Sequence, residues 1–472
     1  MATERTTFVK NTALILVANV LVLGISFFLR PLIARFIGPE QYGIFALILT
    51  TSVVVTAFTS FSMNSAVLYF VSKNHGREKA VGQVLGSAFL FVTALFAVFF
   101  VPLWFIVPWL VTEITGWPFV VAYLLSYASV TLYLLQAGQQ GLEKFKDFSA
   151  TLFLSTFLAG ILSVGAAYFF ADALSAAALR VAGLAFVVMA GFSTLKLAWG
   201  FDRKQLKALL RYAAPLAVGG WFGSFYAVVD RYLIAHFYPT AEVGFYDVSY
   251  ALVVAVIPFA STFFTVMSPR VIKKAEAFPV YFKNISRITT LAVTGFALAA
   301  FYFSDIIVTV LLGSQYLAAT PIIKVLALSV PFMALYGLNA TSLNALGKTK
   351  LSSGLAVSLL VALLALNLLL IQPFGGIGAA WATVAAYAMV AVLGTAYVRF
   401  KHKVTVRPVA AQIAAFYAFV LAYVFLVEPL GFKAKVAGFT AFGLVALALN
   451  ADLIQTVLSE AKWGRWVRKR GR

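Results

Sequence analysis

Long apolar stretches alternate with short polar ones along the whole chain. In a window of about 19 residues, about fourteen stretches are apolar enough to form membrane-crossing helices. They fall near residues 12–36, 43–71, 82–111, 119–141, 149–171, 175–199 and 206–237. The others lie near 243–268, 285–311, 319–346, 351–372, 376–400, 408–428 and 435–458. The connections are short, and none has room for an inserted soluble domain. The first stretch organises the rest. Roughly 18 apolar or small residues precede Arg30, and the Gly38-Pro39 turn follows, so Arg30 sits inside the hydrocarbon. A guanidinium at that depth costs a few kcal/mol and ordinarily faces a wet cavity or a partner.

Composition sharpens this picture. Of 472 residues, 62% are hydrophobic and 11% charged, with mean hydropathy +0.96. No soluble domain of this size hides that much apolar surface, so the pattern predicts an all-α polytopic membrane protein. With no cysteine in the chain, disulfides, thiolate nucleophiles and cysteine-ligated metals are excluded. His75, His236 and His402 are too scattered for a metal cluster. No metal and no cofactor is expected, and the lack of a Gly-x-x-x-x-Gly-Lys-Ser/Thr loop argues against ATP as the energy source.

The net charge of +20 raises the question of nucleic acid, and the placement of the charges answers it. Arg5 and Lys10, Lys73 to Lys79, Lys144 and Lys146, and Arg203 to Arg211 occupy alternate connections. So do Arg270 to Arg287, Lys348 and Lys350, Arg399 to Arg407, and the tail from Lys462 to Arg472. The opposite connections carry mainly Glu113, Asp172, Glu242, Asp305 and Glu428, with Lys433 and Lys435 as exceptions. This is the positive-inside pattern and not a nucleic-acid stripe. It predicts a multi-pass protein of the cell membrane with both termini cytoplasmic.

The chain also repeats itself. Phe28-Leu-Arg-Pro-Leu-Ile-Ala-Arg-Phe36 aligns without a gap to Val229-Asp-Arg-Tyr-Leu-Ile-Ala-His-Phe237, and at the same offset Gly43 meets Gly244. With a shift of three more, Gln140-Gly-Leu-Glu-Lys144 meets Asn344-Ala-Leu-Gly-Lys348. Stretches one to six therefore match seven to twelve in the same orientation, as two parallel repeats about an axis along the membrane normal. This divides the chain into a six-helix lobe (1–204), a second lobe (205–404), and an appended helix pair with a basic tail (405–472).

Four intramembrane cations, Arg30, Arg180, Arg231 and Lys324, share one expected depth, about 8–10 Å below the outer surface at about 1.5 Å per residue. Arg30 and Arg231 are repeat mates, so a two-fold axis would face them across a central cleft. Arginine's planar fork suits bidentate phosphate contact. Arg35, nearer the surface, is a further candidate to line the cleft. The alternative for these cations is to pair with an acid (Asp230 or Asp247 for Arg30 and Arg231, Asp172 for Arg180) or to snorkel outward. Asp230 and Asp247 sit at a similar depth as ion-pair or coupling candidates. His236, the mate of Arg35, is either a pH-sensitive gate or a simple interfacial histidine. Tyr226, Tyr232, Tyr246 and Tyr250 lie near the expected cleft. Loss of either Arg30 or Arg231 is expected to leave the protein folded.

The run Arg30-Pro-Leu-Ile-Ala-Arg-Phe-Ile-Gly-Pro-Glu-Gln-Tyr-Gly-Ile-Phe45 and the stretch from Asp230 to Tyr250 resemble the polysaccharide-transporter family. These are the O-antigen and exopolysaccharide flippases of the MOP superfamily. The resemblance implies MATE-like lobes and about 14 transmembrane helices. It implies translocation of a polyprenyl-(pyro)phosphate-linked oligosaccharide from the cytoplasmic to the outer leaflet by alternating access, with the cleft cations holding the phosphate, the cleft tyrosines available to stack on sugar rings, and transport lost with either Arg30 or Arg231. The partners so implied are that lipid-linked substrate, membrane lipid, and glycosyltransferases or polymerases; a monomer is expected, on no motif of the sequence. The alternative is a cation-coupled multidrug and toxin extruder. Such a pump needs intramembrane carboxylates, and the first stretch has none. A membrane glycosyltransferase would need acids or a base in a sizeable outer loop, and every outer loop is short.

Overall fold

The computed structural model describes residues 2–195, 200–226, 228–258, 260, 276, 278–427 and 431–452. Part of the expected charge pattern (Arg270, Lys273, Lys274, Glu428 and the tail from Lys462 to Arg472) lies outside the described residues. So do the side chain of Tyr226 and the far end of the stretch near 243–268. The described chain is helical, and no strand occurs among these residues. In order, the helices are α1 (Ala2–Ser60), α2 (Met63–Lys73), α3 (Glu78–Leu110), α4 (Trp117–Gly141), α5 (Phe145–Phe170), α6 (Ala173–Ser193) and α7 (Arg203–Tyr226). There follow α8 (Val229–Phe237), α9 (Thr240–Val254), α10 (Phe278–Tyr302), α11 (Ala319–Ala345), α12 (Thr349–His402), α13 (Arg407–Ala422) and α14 (Phe432–Ala448).

Among the described residues, nine helices are long and apolar enough to cross a membrane. Two of them are far longer than one crossing. Val17–Ser60 has 44 residues and Thr349–His402 has 54, against about 20 for a single span. Each carries one backbone break, at Gly38 (φ 78°) and at Gly375 (φ 56°). Gly38 precedes Pro39, whose ring pushes the residue before it out of the helical region, and glycine takes the left-handed alternative without penalty. The breaks fall where the sequence places the ends of the first and eleventh apolar stretches. Large apolar side chains face outward, as lipid-facing helices require: Trp109 is 83% exposed and Phe169 78%.

Several expected stretches are not continuous helices, those near 43–71 and 206–237 among them. The one near 43–71 breaks at Phe61 and Ser62, both with positive φ, between α1 and α2. The one near 206–237 ends as α7 at Tyr226 and resumes as α8 at Val229, where Val228 leaves the helical region (φ −134°, ψ −13°). A hydropathy window registers composition and not dihedral angles, so neither break has a signal in it.

The chain divides into two compact units. Unit 1 comprises Met1–Ala251, Thr309–Ala318 and Asn367–Ala379. Unit 2 comprises Leu252–Val308, Ala319–Leu366 and Ala380–Arg472.

Within unit 1 the repeat becomes a physical contact. A Cβ on Gly43 would lie 1.8 Å from the carbonyl oxygen of Thr240, and one on Gly244 would lie 2.2 Å from that of Pro39. Thr240 is the repeat mate of Pro39, and Gly244 that of Gly43. The contact is therefore reciprocal, as an interface with two-fold symmetry must be. The flanking residues repeat the pattern. Gln41 accepts from the backbone N–H of Ala173 at the start of α6 (3.1 Å), and its mate Glu242 accepts from that of Gly376, just past the break in α12 (2.9 Å). Each satisfies an N–H group that a helix start leaves without a partner.

The second alignment is equally concrete. The end of α4 is closed by Leu142 N–H to Gly138 O (3.0 Å) and Lys144 N–H to Gln139 O (2.8 Å). The end of α11 is closed by Leu346 N–H to Ser342 O (3.0 Å) and Lys348 N–H to Leu343 O (2.8 Å). Both loops turn on a left-handed residue, Glu143 (φ 57°) and Gly347 (φ 73°).

Unit 2 buries charges that sequence reading assigns to loops. Arg287 lies within α10, almost wholly buried, donates to Asp452 (2.8 Å) and Leu449 O (3.0 Å), and is not a loop charge. Lys435, one of two basic residues on the acidic side, pairs with Asp305 at 2.8 Å.

Candidate functional site

The break at Val228 places Asp230 and Arg231 in the first turn of α8, where a carboxylate is favoured by the helix dipole. Asp230 Oδ1 accepts from the Arg231 backbone N–H (2.9 Å) and from Arg231 Nη1 (2.9 Å). Arg231 Nε donates to Oδ1 of Asp247, one helix further on in α9 (2.8 Å). The remaining carboxylate oxygens are held by phenols. Tyr246 donates to Asp230 Oδ2 (2.6 Å) and Tyr42 to Asp247 Oδ2 (3.2 Å). The guanidinium also lies 4.8 Å from the ring centroid of Tyr250 and 5.6 Å from that of Tyr246.

Burial separates the two repeat-mate arginines. The Arg231 side chain is 7% exposed and its two acids 9% and 6%. Arg30 is 43% exposed, with Nη1 4.0 Å from Asp247 Oδ2. Arg180, half-buried in α6, is within Coulombic range of Arg30 and of the phenols of Tyr42 and Tyr133. Among the described residues it has neither a hydrogen bond nor an ion pair. Three cations thus stand against two carboxylates, and both carboxylates are engaged by Arg231. The positive surplus lies on Arg30 and Arg180, the two that are not enclosed.

The other candidates fall elsewhere. Arg35 is exposed and donates to Val310 O (2.8 Å), while Gln315 and Tyr316 donate to the carbonyls of Arg35 and Ala34 (3.0 Å each). These bonds strap residues 309–318 onto the end of the first half of α1. His236 is exposed at the end of α8, its ring edge-on to Phe237. Lys324 belongs to unit 2, where its ammonium lies 5.2 Å from the ring centroid of Tyr423. Of the tyrosines available for sugar, Tyr246 and Tyr250 serve the Arg231 cluster, and Tyr232 shares a hydrogen bond with Thr51 (2.9 Å). Tyr42 had no sequence signal beyond standing in the Gly-Pro-Glu-Gln-Tyr-Gly run.

Residues 8–274, more than half of the chain, match the family model described as polysaccharide biosynthesis protein. The chain belongs to that family. A curated relative, the probable low-salt glycan biosynthesis flippase Agl15 of Haloferax volcanii, is 24% identical over 82% of this chain and 83% of its own length. An uncharacterized membrane protein of Methanocaldococcus jannaschii, MJ1068, is 27% identical over 40% of this chain and 38% of its own. Among solved structures, the lipid II flippase MurJ in an inward closed conformation covers 94% of this chain and all of its own, with TM-score 0.73 and 16% identity. An inward-facing multidrug resistance MATE transporter of the MOP superfamily covers 84% of this chain and 96% of its own, with TM-score 0.61 and 12% identity. At such identities the likeness shows the fold. This member of the polysaccharide biosynthesis family is therefore a multi-pass membrane protein, as the hydropathy pattern predicts, and it shares the fold of the MurJ and MATE transporters, as the family resemblance implies.

Proposed function

We propose that this protein is a flippase for a polyprenyl-(pyro)phosphate-linked oligosaccharide. It carries its substrate from the cytoplasmic to the outer leaflet by alternating access of two six-helix lobes, residues 1–204 and 205–404, with 405–472 appended and both termini cytoplasmic. The observation that carries this reading is the surplus of positive charge at Arg30 and Arg180. Two partly open guanidiniums within Coulombic range of each other, with only the Asp247 carboxylate, already bonded to Arg231 and Tyr42, at 4.0 Å from one of them, gain from an added anion. A lipid phosphate fits that need, with its tail left in the bilayer. Membership of a polysaccharide biosynthesis family and the likeness to a probable glycan biosynthesis flippase of Haloferax volcanii support the same cargo.

Arg231 takes a different part in this proposal. Its guanidinium is committed to two acids, so it fixes α8 against α9 and shapes the field that Arg30 and Arg180 experience. The same pairing weighs against the drug-extruder alternative: Asp230 and Asp247 are engaged by Arg231, and the open groups are cations that repel a cationic drug.

Native mass spectrometry of the purified protein with a polyprenyl-pyrophosphate-linked sugar tests the proposal. Saturable binding is expected, lost in Arg30→Ala/Arg180→Ala. Absence of lipid binding, together with binding of organic cations, would overturn it.

A further inference from the structure

Unit 2 holds an apolar groove of about 420 Å³ with a basic mouth. Its floor is Leu335 of α11, Ala391 of α12 and Val409 of α13, all buried, with Phe332 and Ile413 packed against them. One side is open: Val392 is 60% exposed and Phe400 77%. At one end stands Arg399, exposed, its guanidinium 5.5 Å from the ring centroid of Phe400. Lys401, Lys403 and Arg407 follow within eight residues, all exposed, and no Asp or Glu occurs between Asp305 and Glu428.

We infer that this groove seats one acyl chain of an anionic phospholipid of the surrounding bilayer, with the headgroup phosphate held by Arg399 and its basic neighbours. Three observations select that occupant. The first is length. Ala391 and Arg399 are eight residues apart on one helix, about 12 Å at about 1.5 Å per residue, against about 15 Å of hydrocarbon in one leaflet. A single leaflet chain fills that distance, whereas a polyprenyl chain overruns it. The second is charge. Basic residues at the end of a groove between membrane helices select an anionic headgroup, and among the described residues none of Arg399, Lys401, Lys403 and Arg407 is in an ion pair with an acid. The same sign excludes the chain's own basic tail, which these residues repel. The third is access. The open rim at Val392 and Phe400 lies along the apolar length of the helix, so a chain enters sideways from lipid.

Photolabelling tests this in vesicles containing the full-length protein, with phosphatidylglycerol or phosphatidylcholine carrying a diazirine near the end of one acyl chain. Phosphatidylglycerol is expected to label peptides covering 332–335, 391–400 and 406–414 more strongly than phosphatidylcholine, by about fivefold for each basic residue engaged. The preference is expected to disappear in Arg399→Gln/Arg407→Gln. Ala414→Phe, which fills the groove and leaves the charges in place, is expected to reduce labelling by both lipids. Equal labelling by the two lipids in the wild type would reduce the groove to ordinary lipid-facing surface and overturn the inference. So would a preference unchanged in the arginine variant. Suppression of labelling by geranylgeranyl phosphate at equal mole fraction would assign the groove to a polyprenyl chain instead. None of these outcomes depends on Arg30 or Arg180, so the transport reading stands or falls separately.

Discussion

Arg30 and Arg231 occupy the same place in two copies of one sequence motif, and their surroundings are opposite. Arg231 is enclosed, with an acid beside it in sequence and another on the next helix, each carboxylate completed by a phenol. Arg30 has Leu29 where its mate has Asp230, and its nearest carboxylate oxygen, 4.0 Å away, belongs to an acid already bonded to Arg231. One position of the repeat has become a rivet and the other has stayed a cation with capacity to spare. A duplicated motif thus marks where a functional charge sits without saying which copy performs the function. Burial and the identity of one neighbour decide that.

The largest test of this contrast is Arg231→Ala. It strands two buried carboxylates, and a loss of about 3–5 kcal/mol of stability is expected, read as a lowered unfolding midpoint of the purified protein. This revises the expectation that either arginine is removable with the fold intact. Arg231→Met combined with Asp230→Asn and Asp247→Asn is expected to recover most of the loss, because the penalty comes from the unpaired acids.

Next in size, Arg30→Ala is expected to weaken binding of a polyprenyl pyrophosphate by about tenfold to a hundredfold, as for loss of a hydrogen bond to a charged group. Its unfolding midpoint is expected to stay near wild type, since a half-exposed pair at 4.0 Å contributes about 0–1 kcal/mol. An Arg30 variant that unfolds as readily as the Arg231 variant would break the contrast. Tyr246→Phe is expected to cost about 1–3 kcal/mol, because it removes the 2.6 Å bond to a buried carboxylate. Tyr42→Phe, which removes a 3.2 Å bond to an oxygen also near Arg30, is expected to cost less in the same assay.

The smallest effect compares the matched loops. Glu143 holds the left-handed position that glycine holds at 347, so Glu143→Gly is expected to stabilise by about 0.5–1 kcal/mol in thermal unfolding.

Much of this molecule was readable from its residues, and what was not has a physical reason. The Gly38-Pro39 break, the repeat offsets and the shared turn after α4 and α11 rest on backbone chemistry that local residues dictate. The acids near Arg231 were visible as candidates because one is adjacent and the other lies at a similar depth in the next helix. What sequence could not assign was which arginine they neutralise, since both repeat mates lie at one depth and only the fold brings Asp247 Oδ1 to 2.8 Å from Arg231 Nε. The phenols of Tyr42 and Tyr246 were hidden for another reason: in an apolar helix a tyrosine reads as filling, and its hydroxyl declares itself only through a partner. The lipid groove was not legible either, because its floor is drawn from three helices whose apolar faces look alike in any window.

The reciprocal contact of Gly43 and Gly244 has a consequence for how the two copies were free to change after duplication. Elsewhere each copy drifted alone: Arg35 stands opposite His236, Gln41 opposite Glu242, and Leu29 opposite Asp230. At the glycines no such freedom exists, because a methyl group on either would overlap the backbone of the other copy within about 2 Å, as Gly43 against Thr240 O (1.8 Å) makes plain. Neither half can acquire a side chain there until the other half's main chain has moved. The crossing therefore acts as a fixed, self-facing seam between the two copies, while the positions around it differ from one copy to the other.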